Sequence, residues 1–229
     1  MPGLIIIFYI LNVCLPRHIN ITHGWLKNKM EKFKASELIW LNVNEYLVLD
    51  EDDIILYTSP DTDFWRGTYY GLEYDNAPAA VISREERFWT LKARVSFNSS
   101  IYFDQCGLFI YQDEDHWMKS GIEYQKNGYQ QLFSVVTNHG FSDWSMSNFD
   151  RHRQTMYYRL SRRESDFLLE NSLNGRDFHM MRMFHLSHAE ARVQFGFFAS
   201  SPGDSSFAAR FSEIELMECQ WQAHNADRF

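Results

Sequence analysis

The chain has 229 residues, of which 45% are hydrophobic, 17% aromatic and 23% charged, and its formal net charge is −8. This length allows one large β domain or two small domains with a sizeable core, and the aromatic content favours strands, where rings pack well on a pleated surface. The negative charge excludes a general nucleic-acid binder, because such a protein needs a basic face to neutralise phosphates.

The N-terminal region contains a nearly apolar run at residues 4–15, LIIIFYILNVCL. The run is too short to span a bilayer as a helix. It is similar to the core of a signal peptide, but no Lys or Arg precedes it and no small-residue cleavage site follows. Met30 offers another start for the chain. We therefore expect residues 1–35 to be an extension outside the fold of a cytoplasmic protein that does not bind membranes; the alternative is secretion, if residues 4–15 act as a signal segment.

From about Trp40 onward, apolar and polar residues alternate with a period of two. In FWTLKARVSF (88–97), Trp89, Leu91, Ala93, Val95 and Phe97 alternate with polar residues, and residues 156–160, 167–171 and 191–199 behave similarly. Such alternation predicts antiparallel strands with one buried and one solvated face. Turn-forming residues separate these runs, and the Asn-Gly pair at 174–175 predicts a hairpin.

Ten or more short strands without a repeat or a linker predict an all-β fold, a two-sheet antiparallel sandwich over residues 36–222, followed by a tail at 223–229. Near the end of this range, Ile214 and Leu216 are out of phase with Phe207, Ala209 and Phe211. A bulge near residues 212–213 would restore the register.

Cysteine and histidine usage indicates neither disulfides nor a metal site. Cys14, Cys106 and Cys219 are an odd number and read as reduced thiols, with Cys106 acting as a small hydrophobe inside a strand. No zinc-type Cys/His spacing occurs, and His116, His139 and His185, in or near turns, are interpreted as surface histidines. The acidic turns at 50–53 and 113–115 raise a calcium hypothesis, but without the loop spacing of a known site we favour solvated turns. We expect no metal and no cofactor.

Five stretches together resemble one known family in order and spacing: TDFWRGTYYG (62–71), DQCGLFIYQDEDHWMKSGIEY (104–124), SVVTNHGFSDWS (134–145), NSLNGRDFHMMR (171–182) and GFFASSP (196–202). The chain is similar to the family related to the fungal regulation-of-enolase protein, catalogued as a domain of unknown function. The resemblance implies a jelly-roll sandwich of the concanavalin A-like lectin/glucanase superfamily. It also implies a role connected with enolase or carbohydrate metabolism.

Glucanases of that superfamily place two glutamates and an aspartate at alternate positions of one strand, and we find no such triple. Glu123 is alone on its strand, Glu213 and Glu215 alternate on the terminal strand in a solvated phase, and Glu73 and Asp75 lie beside a turn. Retaining hydrolysis needs two closely spaced carboxyl groups, and no nucleophile-elbow motif replaces them. The sequence therefore favours a protein without catalytic residues.

A ligand-binding groove is predicted on the outer face of one sheet, where polar and aromatic residues of the resembling stretches gather. Alternation places Lys119 and Glu123 on one strand face. The candidate ligand-binding residues are Trp65, Gln105, Lys119, Glu123, Asn138, Asp143, Trp144 and Arg182, with Asp63 beside them. The tryptophans would stack on a sugar ring, and Lys119 and Arg182 would clamp an anionic group oriented by Glu123. In the alternative interpretation, the tryptophans only fill the core and Lys119 with Glu123 is an ordinary same-face pair.

Three functions remain open from the sequence. The first is a non-catalytic binding or regulatory protein whose partners are a carbohydrate-like ligand, a phosphorylated metabolite or a protein such as enolase. The second is a carbohydrate-active hydrolase with an atypical active site. In the third, the conspicuous stretches only hold the sandwich together, and an exposed edge contacts a protein.

Overall fold

Two large antiparallel sheets stack face to face in the computed structural model, which describes residues 32–99, 101–149 and 153–222. Sheet 1 contains, in spatial order, β1 (Ile39–Leu41), β6 (Ala79–Arg84), β15 (Val193–Ser200), β8 (Gln105–Asp113), β9 (His116–Tyr124), β10 (Gln130–Asn138) and β11 (Phe141–Phe149). Sheet 2 contains β14 (His179–His185), β13 (Asp166–Ser172), β12 (Thr155–Arg163), β7 (Phe88–Ser96), β16 (Ala208–Met217), β3 (Asp53–Tyr57) and β2 (Tyr46–Asp50). A separate hairpin is formed by β4 (Phe64–Arg66) and β5 (Glu73–Asp75).

This architecture confirms the predicted all-β, two-sheet jelly-roll sandwich. The 3₁₀ turns Ala35–Glu37 and Lys126–Gly128 are the only helical segments in the described part of the chain. Over the same ranges, no helix combines the length and the apolar character needed to cross a membrane.

The main core lies between the two sheets and is built from the alternating strands. On β7, Trp89, Leu91, Ala93 and Val95 are buried, as the period of two predicts. Cys106 on β8 is buried in the same core, and burial raises the pKa of its thiol well above the ordinary value. A thiol with a raised pKa is inert and packs as an apolar side chain.

The predicted boundary of the fold at residue 35 needs correction. Phe33 and Ala35 are buried members of the main core, and the Phe33 ring meets the Phe197 ring edge-on at a centroid distance of 6.2 Å. The Ala35 N–H donates to the Glu51 carbonyl oxygen at 3.0 Å. The fold therefore includes residues just ahead of the predicted boundary, while residues 1–31 and the predicted tail at 223–229 lie outside the described residues.

Both irregular features predicted from the sequence are present. The β16–β7 ladder shifts register between Ser212 and Glu215, and Glu213 adopts a positive φ of 51°, so Ile214 and Leu216 return to the core. This is the predicted bulge. The Asn-Gly pair lies in the connection of the β13–β14 hairpin.

A second apolar cluster covers the outer face of sheet 1, the face turned away from sheet 2. This outer cluster consists of Phe64, Trp65, Ala77, Ala79, Val81, Phe109, Trp117, Phe133, Val135 and Phe198. The β4–β5 hairpin supplies Phe64 and Trp65, which explains why so short a hairpin is held against the sheet. The hairpin forms one wall of the site described next.

Candidate functional site

A cavity of about 360 Å³ opens on the outer face of sheet 1, next to the β4–β5 hairpin. Its size is in the range of about 300–1,000 Å³ that is usual for small-molecule sites. It is lined by Asp61, Thr62, Asp63, Trp65, Tyr70, Leu72, Tyr74, Phe103, Gln105, Lys119, Glu123, Phe133, Val135, Trp144 and Pro202. Aromatic and aliphatic side chains predominate, with a few polar groups placed among them.

The polar part of the cavity comes from the pairing of β8 with β9. Gln105 lies opposite Glu123 in the register, and Lys119 lies four residue pairs further along on the same face. All three side chains are almost fully buried, with residue exposures of 3% for Gln105, 2% for Lys119 and 3% for Glu123. Burial of three such groups demands partners or a ligand, because an unpaired polar group in a low-dielectric site is costly.

Between these polar residues, Gly107 lies opposite Gly121. A Cβ atom on Gly121 would come within 1.9 Å of the Cys106 carbonyl oxygen, and one on Gly107 within 2.0 Å of the Ser120 carbonyl oxygen. Only glycine permits this close approach of the two strands.

Lys119 is neutralised by an ion pair with Asp63 rather than by Glu123. Its Nζ donates to Asp63 Oδ1, which also accepts the backbone N–H of Phe64 at 2.8 Å. The ammonium group lies 6.0 Å from the ring centroids of both Phe133 and Phe198. The lysine therefore joins β9 to the residue preceding β4, and its charge is already compensated before any ligand arrives.

Glu123 is held by two glutamine side chains. Its Oε2 accepts a hydrogen bond from Gln105 Nε2 at 3.2 Å, and its Oε1 accepts one from Gln125 Nε2. Burial raises the pKa of Glu123 to about 8, and the nearby Asp63 carboxylate adds to this, against the lowering effects of Lys119 and of the Gln125 hydrogen bond. At neutral pH the group is therefore mainly a neutral carboxylic acid, which can donate as well as accept a hydrogen bond.

Gln105 carries an acceptor without a partner. Its Nε2 donates to Glu123 and, at 3.3 Å, to the Phe103 carbonyl oxygen, whereas its buried Oε1 has no hydrogen-bond partner among residues 32–99, 101–149 and 153–222. Buried acceptors are nearly always satisfied in native proteins, so an exception requires an explanation. Because Gln105 lines the cavity, a hydroxyl or amine of a bound molecule would supply the missing donor.

Aromatic rings form a second part of the lining. Trp65 meets Trp144 edge-on at a centroid distance of 6.0 Å and Tyr70 at 5.5 Å, while its Nε1 donates to the Thr68 carbonyl oxygen at 3.2 Å. Trp65 is a buried member of the outer cluster, as the core-filling interpretation has it. Trp144 remains 36% exposed at the cavity, so its ring is available to a ligand.

Five of the eight predicted ligand-binding residues line this cavity: Trp65, Gln105, Lys119, Glu123 and Trp144. Asn138, Asp143 and Arg182 do not. The Asn138 side chain donates to the His185 carbonyl oxygen and accepts from the Ser187 N–H, so it fastens a loop at one end of the sandwich.

The predicted clamp of Lys119 and Arg182 is wrong. Asp143 pairs in register with Val136, a main-core residue, whereas Trp144 pairs with Val135 of the outer cluster. Asp143 therefore belongs to the other face of sheet 1. Arg182 reaches it from sheet 2, with Nη2 lying 2.9 Å from Asp143 Oδ2.

Sequence reasoning missed several lining residues, among them Tyr70, Tyr74 and Phe103. It also did not identify Asp63 as the partner of Lys119. The available signal was the stretch TDFWRGTYYG, whose aromatic residues fall in and after β4. A further correction concerns His116, which is buried rather than on the surface, whereas His139 and His185 are exposed as predicted.

Comparison with known proteins gives a family and a curated relative. The family model described as "Protein of unknown function (DUF1349)" matches residues 40–219. A curated relative, "Regulation of enolase protein 1" of Saccharomyces cerevisiae, is 28% identical over 183 residues, which cover 80% of this chain and 90% of the yeast protein.

Solved structures support the same fold. A functionally unknown protein from Saccharomyces cerevisiae has a TM-score of 0.75 and 26% identity, and covers 82% of this chain and 100% of its own. The GH43 protein BlXynB from Bacillus licheniformis has a TM-score of 0.57 and 14% identity, over 72% of this chain and 33% of its own. The polysaccharide lyase family 18 protein aly-SJ02 has a TM-score of 0.51 and 9% identity, over 80% of this chain and 94% of its own. Likenesses of such low identity show the fold alone.

Proposed function

This chain belongs to the family described as "Protein of unknown function (DUF1349)", and since that description assigns no activity, we propose a function from the cavity. We propose that the protein is a non-catalytic binding or regulatory protein whose cavity takes a neutral, carbohydrate-like ligand. The observation that carries the proposal is the buried Oε1 of the cavity-lining Gln105, an acceptor that finds no donor within the described parts of the chain.

The charges of the lining favour a neutral polyhydroxylated ligand over a phosphorylated one. Among the described residues that line the cavity, Lys119 is the only cation, and Asp63 already pairs with it. Asp61 adds a further carboxylate, and Glu123 is mainly neutral at pH 7. A phosphate would therefore meet uncompensated negative charge, whereas hydroxyl groups would find acceptors in Gln105 and Asp63 and a donor in protonated Glu123.

Trp144 supports the same ligand class. A half-exposed indole at the edge of a cavity offers a large flat contact surface with little loss of side-chain entropy. A pyranose ring has one apolar face that fits such a surface, while its hydroxyl groups point toward the polar residues on β8 and β9.

Titration calorimetry of the purified chain with neutral mono- and oligosaccharides, and with their phosphates, tests this proposal. We expect a neutral sugar to bind more tightly than its phosphate. Loss of one hydrogen bond in Gln105→Leu should weaken binding by roughly tenfold, the equivalent of about 1.4 kcal/mol. Trp144→Ala should weaken it as well.

Met146→Ala is the matched control for Trp144→Ala, because Met146 lies on the same strand and face with a similar exposure but does not line the cavity. The Met146→Ala variant should bind the neutral sugar with the same affinity as the unaltered chain. Absence of binding by every neutral sugar, or tighter binding of the phosphates, would contradict the proposal.

The yeast relative's name supports a regulatory role connected with enolase, and we propose enolase as a protein partner of a cytoplasmic protein. Strand β2 is an edge of sheet 2 on which all five residues are exposed, including Leu47, Val48 and Leu49. Such an edge can pair with a strand of another protein.

Immobilised chain should retain purified enolase from the same organism. Val48→Lys should reduce this retention, while Glu123→Gln should leave it unchanged. No retention by the unaltered chain would contradict the partnership.

A carbohydrate-active hydrolase is the second candidate, favoured by one observation. Glu123, with its raised pKa, and Asp63, held by a lysine, line the same cavity. Two carboxyl groups whose environments differ in this way resemble an acid and its ionised partner. Release of the aglycone from aryl glycosides, abolished in Glu123→Gln with sugar binding intact, would establish this function in place of binding alone.

A further inference from the structure

Four side chains from three separate turns meet at one end of the sandwich. Asp113 and His116 flank the β8–β9 turn, His139 lies in the β10–β11 turn, and His188 lies in the loop between β14 and β15. We propose that Asp113, His116 and His188 form a binding site for a divalent transition-metal ion, zinc foremost, and that His139 supports the site from outside.

The ligand atoms are already close enough to share one ion. One oxygen or nitrogen from each of Asp113, His116 and His188 lies within 4.8 Å of the others. His188 Nδ1 is 3.4 Å from Asp113 Oδ2, and His116 Nδ1 is 2.8 Å from Asp113 Oδ1. Ligand atoms on a tetrahedral zinc ion lie about 3.3–3.6 Å apart, since zinc binds nitrogen and oxygen at about 2.0–2.2 Å. The His188 distance lies in this range and the His116 distance is about half an ångström short of it. The two contacts use different Asp113 oxygens, so metal binding requires the carboxylate to rearrange.

The outer nitrogen of His116 also has a partner, as metal-binding imidazoles require. His116 Nε2 is 3.3 Å from His139 Nδ1, and His139 Nε2 is 3.4 Å from Ser187 Oγ. Without a metal, His116 Nδ1–H donates to the Asp113 carboxylate and Nε2 accepts from His139. In the tautomer that binds a metal, Nε2–H donates to His139 and the Nδ1 lone pair is directed to the ion beside Asp113. Metal-ligating histidines are typically oriented by such an outer hydrogen bond.

Side-chain hydrogen bonds from two directions hold the loop that carries His188. Gln112 Nε2 donates to the carbonyl oxygens of His188 at 2.7 Å and Arg192 at 2.9 Å. From the other side, the buried Arg162 donates through Nη2 to the carbonyl oxygens of Ala189 at 2.6 Å and Ala191 at 2.9 Å. A site assembled on anchored turns loses little entropy on binding, which favours affinity.

The donor set indicates the class of ion. Two imidazole nitrogens and one carboxylate oxygen suit zinc and related transition metals, whereas calcium and magnesium prefer oxygen ligands alone. His116 is buried, but Asp113 and His188 have exposed side chains, so water can occupy a remaining coordination position. None of the three residues lines the cavity described above, and the site is therefore a separate one.

The test is a titration of the full chain, stripped of metal with a chelator, with Zn²⁺ and with Co²⁺. We expect saturable binding of one Zn²⁺ at this site, a visible spectrum of four-coordinate Co²⁺, and a higher thermal midpoint with zinc but not with calcium. Removing a ligand in Asp113→Asn or His188→Asn should abolish the Co²⁺ spectrum. Removing the outer partner in His139→Asn should weaken zinc affinity by about 10–100-fold. Asparagine suits both histidine positions, because His139 and His188 have positive φ angles of 53° and 66°.

His185→Asn is the matched control, because His185 has the same side-chain exposure as His188 and also pairs with a carboxylate, Asp166, away from the site. It should bind zinc as the unaltered chain does. The proposal is overturned if zinc does not bind saturably, or if binding and the Co²⁺ spectrum persist in both Asp113→Asn and His188→Asn while those variants remain folded by circular dichroism.

Discussion

Asp63 and Lys119 form a buried ion pair that joins the residue before β4 to the middle of β9. Lys119 is almost fully buried, whereas the Asp63 side chain keeps 20% of its exposure. The pair fixes the β4–β5 hairpin against sheet 1 and so forms one corner of the cavity. Its two members are 56 residues apart in the chain.

Removing the carboxylate should destabilise the protein strongly. Asp63→Asn leaves a buried ammonium group without a counter-charge, and we expect a loss of about 3 kcal/mol, near the lower end of the range for breaking a buried pair because Asp63 is partly exposed. Urea unfolding at pH 7 measures this. The double variant Asp63→Asn/Lys119→Met should recover part of the loss, since no buried charge remains. A change below about 0.5 kcal/mol in Asp63→Asn would show that the pair contributes only as a surface salt bridge does.

The raised pKa of Glu123 predicts a particular dependence of stability on pH. Burial, the first cause, raises this pKa from the ordinary 4.5 to about 8. Between these two values the folded state retains a proton that the unfolded state has lost, so stability falls as pH rises through this window and is constant, for this group, above it. The change between the limits is on the order of 5 kcal/mol.

Denaturant unfolding of the unaltered chain and of Glu123→Gln at several pH values checks this expectation. The difference in stability between the two proteins should grow from about pH 5 to pH 8 in favour of the variant, because glutamine cannot ionise. Glu85→Gln, at an exposed position, serves as the control and should follow the unaltered chain. Parallel curves for the unaltered chain and Glu123→Gln would contradict the raised pKa.

Gly121 should not tolerate even alanine. The added Cβ would meet the Cys106 carbonyl carbon and oxygen and the Gly107 Cα, all backbone atoms that cannot move aside. We expect Gly121→Ala to lose about 3 kcal/mol or more, or to fail to fold. Gly128→Ala is the comparison: its Cβ would meet nothing within 4 Å, although its φ is 80°, so only a backbone cost of about 1 kcal/mol is expected. Urea midpoints of equal size for the two variants would contradict the close approach of β8 and β9.

Arg162 should stabilise the loop that carries His188. It is fully buried and donates to the carbonyl oxygens of Glu86, Glu164, Ala189 and Ala191. Arg162→Met leaves these acceptors without donors, each at a cost of about 1 kcal/mol or more. Hydrogen exchange should accelerate at residues 186–192 well before the strands of sheet 1 are affected. Unchanged exchange in that loop would show that Arg162 does not anchor it.

Sequence patterns anticipated the sandwich because its strands alternate strictly, as Trp89, Leu91, Ala93 and Val95 do on β7. They also placed Lys119 and Glu123 on one face, since a period of two requires it. These patterns did not reveal the partner of Lys119. The partner, Asp63, is distant in the sequence, and the path of the β4–β5 hairpin brings its carboxylate to the lysine.

The sequence also could not predict that the Arg182 side chain lies away from the cavity. The two-residue turn His139–Gly140, with both φ angles positive, sets the register of β10 with β11 and places Asp143 opposite Val136. No local signal shows that Arg182, on the other sheet, meets Asp143 there. The histidine cluster escaped notice for a similar reason, as Asp113 and His188 are 75 residues apart and only the stacking of three turns brings them together.

The most direct test of the central claim is a crystal structure of the chain soaked with the neutral sugar that binds it most tightly. We predict a sugar in the cavity on the outer face of sheet 1, with a hydroxyl group within hydrogen-bond distance of Gln105 Oε1 and the ring against Trp144. A sugar bound elsewhere on the molecule, with Gln105 Oε1 still lacking a donor, would contradict it.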